Sequence, residues 1–532
     1  MRTISTLNIK KISHFFLTLL IVLTLSSSNA ATNDNLKSNN KLKWHPCKDS
    51  GNHHFLCGKI SVPLDYKHPQ SGKIELPVSM HPASHESRGY LLFNFGGPWA
   101  DNVNILPSIM QKKLTPTMIE QFDLLVMNPR GVSPNLIECN TQNPAKLKAI
   151  NEAMKNIFTQ GDEHDAKTLY ELAKQKQEIC RYNEINNYAG TINTIQDIEV
   201  LRHALNIKKL NLYMTSYGTR LGLAYLVNYP EHVHRIILDG NIFPTNQLIS
   251  LISPRAFGAV AIYIAFFQNC HEAGTGCILN KSSNNLIGEF NSLLTRARQN
   301  QGIPTNSEYA NRPVTAGMIK NLMYTNMQPS NWKNLAQAIY EAEKSNSGNK
   351  LMKIYADNTG YDPKTGNYTV DNNETRRSVI CGDYKLPDFS NETTWLKFIN
   401  QINSRYSQTG SISTLWLTPI CIKWNMQSTP LLPKPSEVLS KKANNPPQVL
   451  IIGNSIDPMT PFKNALAVKN YLEKFYIKST IIKWNGVSHT ALLTDSALSS
   501  CVLHNVDEFL IGKNVSTPIK CNDWQNPFTK NE

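Results

Sequence analysis

The stretch LNLYMTSYGTRLGLAYL, residues 210–226, decides how this chain is read. Its first part, with Leu210, Leu212, Tyr213 and Met214, is apolar and aromatic in the manner of a buried strand. Its last part, with Leu221, Leu223 and Tyr225, has the composition of a helix. Between the two stands Ser216, in a Ser-Tyr-Gly corner. A serine on a sharp strand-to-helix turn has its oxygen lifted above the sheet, where it serves as a nucleophile. The sequence pattern for such a turn is G-x-S-x-G, because small neighbours prevent collision at the corner. Gly218 supplies the second glycine, but Met214 stands where the first belongs. The corner alone does not settle the matter, and the rest of the chain has to be read.

On both sides of the corner strands and helices alternate. Residues 73–83, 89–97 and 121–131 read as strands, the first two joined by a turn and the third ending in Pro-Arg-Gly. Residues 144–180 are charged and helix-rich. Residues 194–205 form an amphipathic helix with Ile195, Ile198, Leu201 and Leu205 on one face. Residues 209–214, 217–228 and 233–240 continue as strand, helix and strand. That alternation predicts a mostly parallel α/β sheet. From 241 to about 440 strong strand signals vanish and helical stretches such as 256–268 and 333–345 take over, separated by polar loops. A proline-rich linker at 428–438 precedes a second α/β run: strand 448–453, helix 462–474, strand 478–484 and helix 499–511. The expected organisation is a first core segment at 31–240, a helical cap at 241–440 and a second core segment at 441–532.

The first thirty residues stand apart. Arg2, Lys10 and Lys11 precede an apolar run at 15–25, and Ser28-Asn29-Ala30 follows with small residues where a signal peptidase reads. A signal peptide at 1–30, cleaved after Ala30, is expected, and with it export to the periplasm or beyond. No later run has the ~18 uninterrupted apolar residues that span a bilayer, so no stable membrane insertion is expected after cleavage. The formal charge is +14, of which those three basic residues supply three, leaving +11 beyond residue 30. The remaining basic residues are scattered and match no nucleic-acid motif, so no nucleic-acid partner is expected. The ten cysteines of an exported chain point to disulfides. The simplest pairing joins sequence neighbours: Cys47/Cys57, Cys139/Cys180, Cys270/Cys277, Cys381/Cys421 and Cys501/Cys521. No pair has C-x-x-C spacing, and no metal is expected.

A nucleophilic serine needs a base, and the base needs an acid to orient it. In hydrolases with the strand-to-helix turn the chain order is Ser, then Asp or Glu, then His. Asp457 follows strand 448–453 and His489 follows strand 478–484, so both belong to the sheet edge that carries Ser216, where ligands bind in parallel sheets. Asp239 is the main alternative acid, with a turn or capping role preferred for it. Ser455 and Ser488 are rival nucleophiles, but neither leads into a helix. Acyl transfer also requires two backbone N–H groups aimed at the oxyanion. Gly97, in the glycine pair that ends strand 89–97, and Tyr217, which follows the nucleophile, are the expected donors.

Taken together, the segments FGGPWADN, FDLLVMNPRGV, TINTIQDIEVLRHALNI, YMTSYGTRLGLAYLVNYPEHVHRIILDG, SVICGD, VLIIGNSIDPMTPFKNA and GVSH resemble the secreted α/β-hydrolases of the prolyl aminopeptidase and tripeptidyl aminopeptidase family. They run in the family's order and cover almost all of the chain beyond residue 30. The resemblance implies an α/β-hydrolase fold with a large helical cap inserted between nucleophile and acid. It implies a serine exopeptidase that acts on peptides without a cofactor, with Ser216, Asp457 and His489 as its triad. Four positions depart from the family pattern. Phe95 and Trp99 replace the first His and last Gly of H-G-G-P-G, Met214 replaces the first elbow glycine, and Asn128 replaces the Asp of D-P-R-G. Met214 and Trp99 bear on the pocket and so on peptide specificity. An esterase using the same triad, or a non-catalytic binding protein on this scaffold, are the competing readings.

Overall fold

The computed structural model describes residues 42–529 except 49–53, 157–162, 282–283, 327, 369–372, 390, 407–414, 416, 418, 425–430, 433–445, 495–498 and 514–518. The expected signal peptide and its cleavage point lie outside the described residues, as does most of the proline-rich stretch 428–438.

Ten strands form the main sheet: β1 (His45–Pro46), β2 (Leu56–Pro63), β3 (Lys73–His81), β4 (Tyr90–Asn94), β5 (Asp123–Met127), β6 (Leu210–Thr215), β7 (Val233–Asp239), β8 (Gln448–Ile456), β9 (Ser479–Val487) and β10 (Ile519–Cys521). Their order is β1-β2-β3-β5-β4-β6-β7-β8-β9-β10. From β5 to β10 every neighbouring pair is parallel. The first three strands form an antiparallel edge that joins the parallel part through β3 and β5. Strands β3 and β4 follow each other across a turn in the chain, as the sequence predicts, but in the sheet β5 lies between them. Strand β5 pairs in parallel with β4 and antiparallel with β3, and the last four of its five residues are buried.

Residues alternate between the two faces of the sheet, and both faces are covered. Leu92, Leu212, Met214, Ile236, Leu238 and Ile451 belong to one core. The helices Thr191–Ala204, Gly218–Asn228 and Phe462–Glu473 pack on that face. Leu91, Phe93, Tyr213, Ile237, Leu450 and Ile452 belong to the other core, under the helices Asn102–Lys112 and Ser500–Leu510. This two-sided burial explains the continuous apolar runs of the central strands. All six residues of β6 are buried, and each large aliphatic side chain among them contributes ~1.5–3 kcal/mol.

The winding reverses at β4. Strand β5 lies on one side of it and β6 on the other, which opens a crevice at the carboxyl ends of these strands. The register brings Asn94 beside Met214, and Thr215 beside Asp239. The loops that leave this edge therefore converge on one place.

Between β7 and β8 the chain builds a helical cap. Its helices include Ile249–Glu272, Ala316–Thr325, Trp332–Lys344, Asn373–Asp383 and Glu392–Arg405. One cap core gathers Phe266, Leu293, Trp332 and Ile339. A second gathers Cys381, Trp395 and Ile399, together with Ala166 and Leu169 of the helix Glu163–Ile179. Trp395 Nε1 donates to the Ala166 carbonyl at 3.3 Å. The cap is thus seated partly on a helix from the first core segment. Helix Ile249–Glu272 is long and apolar enough to cross a bilayer by length and composition, but its Leu251, Ile252, Ile262 and Phe266 are packed in the two cap cores.

Five disulfides link the ten cysteines, each to its nearest cysteine in sequence: Cys47–Cys57, Cys139–Cys180, Cys270–Cys277, Cys381–Cys421 and Cys501–Cys521.

Candidate active site

Ser216 occupies the corner between β6 and the helix Gly218–Asn228. Its φ is 53°, a left-handed conformation that a residue with a side chain adopts only when its surroundings hold it. Here the Ser216 N–H donates to the Asp239 carbonyl at 2.9 Å. Its own carbonyl accepts from the Thr219 N–H at 2.9 Å and the Thr219 hydroxyl at 2.6 Å. The corner is therefore tied to β7 on one side and to the first helical turn on the other.

The two elbow positions solve their crowding differently. A Cβ on Gly218 would lie 2.6 Å from Asn94 Oδ1 and 2.7 Å from the Asn94 carbonyl, so glycine is needed where the helix crosses the end of β4. Met214 is fully buried in the core beneath the sheet. Its side chain occupies the space that Gly222, on the helix, leaves open: a Cβ on Gly222 would lie 2.7 Å from Met214 Cγ. The missing glycine of the motif has been moved to position 222, and Met214 does not enter the crevice.

Asp457 and His489 reach Ser216 from the ends of β8 and β9. His489 Nε2 lies 2.9 Å from Ser216 Oγ. His489 Nδ1 lies 2.9 Å and 3.2 Å from the two Asp457 oxygens. A histidine that donates from Nδ1 to the carboxylate keeps Nε2 free to accept the serine proton, which is the tautomer a general base needs. Asp457 Oδ1 also accepts the N–H groups of Met459 and Thr460, at 2.8 Å and 2.7 Å. Its Oδ2 accepts the Thr460 hydroxyl at 2.8 Å and the Thr490 N–H at 3.2 Å. Burial pushes the Asp457 carboxyl upward, but the facing His489 and these donors outweigh burial and hold it below the usual aspartate value.

Asp239 stands beside this group with a different task. One or both of its oxygens accept the backbone N–H groups of Ala491 and Leu492, at 2.9–3.1 Å. These residues lie two and three positions after His489 in the chain. The turn or capping role expected for Asp239 is thus the one its contacts describe. Complete burial raises its carboxyl to about 6; the two N–H donors oppose the rise, and Asp457 adds to it.

The glycine pair lies against the elbow. A Cβ on Gly96 would lie 2.7 Å from the Thr215 carbonyl and 3.0 Å from both Ser216 Cβ and the Tyr217 nitrogen. The turn is held by asparagines: Asn94 Oδ1 accepts the Gly96 N–H and Asn102 Oδ1 accepts the Phe95 N–H, each at 3.0 Å. Among the described residues, the N–H groups of Gly97 and Tyr217 have no hydrogen-bond acceptor. Both are left open beside Ser216.

The other departures have local partners as well. Asn128 donates to Asp101 Oδ1 at 2.9 Å and to the Ser133 carbonyl at 3.2 Å, while its own oxygen accepts the Val103 N–H at 3.0 Å. An aspartate there would face Asp101 without a proton to give. Arg130, in the same turn, is fully buried and meets both Asp197 oxygens at 2.7 Å. Trp99 packs against the second cap core, with the Arg376 guanidinium 5.5 Å from its ring centre. Neither rival serine joins the group. Ser455 bonds Asn485 Oδ1 on the surface and Ser488 bonds Gln328 Oε1.

Sequence reasoning missed the cap side of the site. Tyr217 donates its hydroxyl to Asp383 Oδ2 at 2.9 Å, and Asp383 Oδ1 accepts the Thr191 N–H at 2.9 Å. Arg220 donates to the Asp383 carbonyl at 2.9 Å and lies 4.1 Å over the Tyr384 ring. Asp383 ends the segment SVICGD, the one sign in the sequence that this part of the cap belongs with the elbow.

A family model described as TAP-like protein matches residues 411–521, which include both Asp457 and His489. Serine protease Hip1 of Mycobacterium tuberculosis is 25% identical over 500 residues, covering 88% of this chain and 89% of its own. Over residues 411–521 the chain is similar to TAP-like proteins, and over most of its length to this protease. Tripeptidyl aminopeptidase of Streptomyces lividans is also 25% identical, over 91% of this chain and 87% of its own. Carboxylesterase B of M. tuberculosis is 24% identical, over 90% and 89%. All three alignments span the α/β core of the hydrolase and its cap together.

Proposed function

We propose that this hydrolase is an exported serine aminopeptidase that releases short units from the free N-termini of peptides. The reading rests on the unbroken hydrogen-bond chain from Ser216 Oγ through His489 to Asp457. Ser216 Oγ attacks the scissile carbonyl while His489 Nε2 takes its proton. Asp457 stabilises the imidazolium and fixes the ring. The N–H groups of Gly97 and Tyr217 receive the oxyanion, each such donor contributing about 3 kcal/mol to the transition state. The imidazolium gives its proton to the leaving amine, and water, activated by the same histidine, frees the acyl group.

Peptides as substrates are supported by the names of two relatives, a serine protease and a tripeptidyl aminopeptidase. Removal from the N-terminus is supported by the helices between β7 and β8, which follow the nucleophile and precede the acid. A cap over the strand ends obstructs a chain threading through, so the substrate ends inside. Export is supported by the basic and apolar leader and by five disulfides. The carboxylesterase among the relatives favours ester cleavage as the second reading.

A tripeptidyl amide reporter with a free amine, its N-acetylated twin and a matched ester separate these readings. The free amine should be cleaved ~10–100-fold faster than the acetylated form, since a hydrogen bond to a charged group is worth ~1.5–3 kcal/mol. Equal cleavage of the two overturns the exopeptidase reading. Ester turnover without amide turnover replaces it with the esterase.

A further inference from the structure

Arg255 is a buried cation that meets no anion among the described residues. It lies on the cap helix Ile249–Glu272 and is only 4% exposed. Its Nε has no hydrogen-bond partner, and among the described residues it forms no hydrogen bond or ion pair. The other buried arginines near the site are provided for: Arg130 has Asp197, and Arg220 has Asp383. An arginine keeps its charge throughout the physiological range, and burying that charge is unfavourable unless an anion or several acceptors meet it.

Its place in the fold brackets the catalytic group. On one side the guanidinium acts electrostatically on Tyr324, whose hydroxyl bonds Met459 Sδ at 2.6 Å in the loop of Asp457. On the other it acts on Tyr384, which neighbours Tyr217, the residue after the nucleophile. One turn further along the helix, Gly258 lies against Pro458, so closely that a Cβ there would be 2.3 Å from the Pro458 carbonyl oxygen. Arg255 is therefore held by its own helix between the acid loop and the elbow, on the cap side of the crevice.

We infer that Arg255 receives a carboxylate of the substrate, making this a hydrolase selective for peptides that carry a negative charge next to the scissile bond. The inference rests on the peptidase reading above and names its substrate class. A guanidinium binds a carboxylate through two parallel hydrogen bonds, the strongest pairing available to it. The carboxylate comes either from an acidic side chain before the bond or from the free C-terminus of a short peptide after it. In both cases the substrate completes an ion pair that the folded protein leaves half-built.

The test uses the full chain and two pairs of substrates. The first pair is Ala-Ala-Glu and Ala-Ala-Gln, each linked to a coumarin amide. The second is a short peptide ending after the scissile bond as the free acid or as the carboxamide. In at least one pair the charged member should have a kcat/KM ~10–100-fold higher, and the pair that responds identifies the source of the carboxylate. Arg255→Met should bring that ratio to about one, and Arg255→Lys should leave an intermediate ratio, with folding checked by circular dichroism. Calorimetry on Ser216→Ala protein provides a readout without turnover: the charged peptide should bind about tenfold more tightly. Ratios near one in both pairs, or a preference that survives Arg255→Met, overturn the inference. If Ser216 is labelled by a fluorophosphonate while both ratios stay near one, only the carboxylate selectivity fails. If no substrate is cleaved but the calorimetric preference is present and lost in Arg255→Met/Ser216→Ala protein, the carboxylate site stands and the peptidase reading fails.

Discussion

Met214 and Gly222 form a complementary pair: the side chain of one fills the space left by the absence of a side chain on the other. The pair lets the turn at Ser216 keep its geometry without the first glycine of the motif. Gly222→Ala should be destabilising by ~1–3 kcal/mol, because the added methyl also meets Ile236 Cδ1 at 3.1 Å and Leu238 Cδ2 at 3.2 Å. The gain in helix propensity, about 1 kcal/mol, is too small to reverse that. In a Met214→Ala background the same substitution should cost much less. Denaturant titration of the four proteins measures the coupling; additive effects would show that the two sites do not pack as described.

Asp457→Asn should leave Ser216 and His489 in reach of each other but present the ring with the wrong tautomer. A fall in kcat of ~10⁴-fold is expected. The amide group would also face the N–H donors of Met459 or Thr460, so a lower Tm should accompany the loss. Retention of a tenth of the activity would remove Asp457 from the orienting role.

Asp239 makes a prediction about pH. Its carboxyl is raised to about 6 in the folded protein from an ordinary value of 3.8. The folded state therefore binds more protons than the unfolded chain between these values. The contribution is fully present below about pH 4 and is lost as pH rises through 6, on the order of 3 kcal/mol in all. Asp239→Asn should remove this part of the pH dependence, so wild type should lose stability relative to the variant between pH 4 and 6. An unchanged difference across that range would contradict the burial argument.

The disulfides should differ in what they contribute. Cys381–Cys421 spans 40 residues and Cys270–Cys277 spans 7. Loop-closure entropy makes the first more stabilising by about 1.5 kcal/mol, within a range of ~2–5 kcal/mol for a long loop. Asp383, two residues beyond Cys381, bonds Tyr217, so the Cys381→Ser/Cys421→Ser protein should also lose kcat/KM below its Tm. Thermal scans and kinetics on both double variants check the order.

Much of the site was legible because its parts are local. Strand, Ser216 and helix are contiguous, and Asp457 and His489 each follow an apolar run long enough to be a buried strand. Sequential pairing of the cysteines joins each one to its nearest neighbour in the chain. The placement of β5 between β3 and β4 was not legible, since strand order is set by long-range pairing and not by the local pattern. The tolerance of Met214 depends on a glycine eight residues later, on the next element. Asp383 and Arg255 act across the cap; the segment SVICGD hints at the first, and nothing in the residues flanking Arg255 marks its place. The asparagine at 128 reads as a loss until Asp101 is seen beside it.

The central claim is that Ser216 is the nucleophile of a working triad. Its most direct measurement is mass spectrometry of the folded protein after reaction with a fluorophosphonate, followed by peptide mapping. One adduct should form, on the peptide containing Ser216, and Ser216→Ala should abolish it while lowering turnover by up to ~10⁶-fold. Ser455→Ala should leave labelling intact. An adduct on another serine, or folded protein that forms none, would contradict the account.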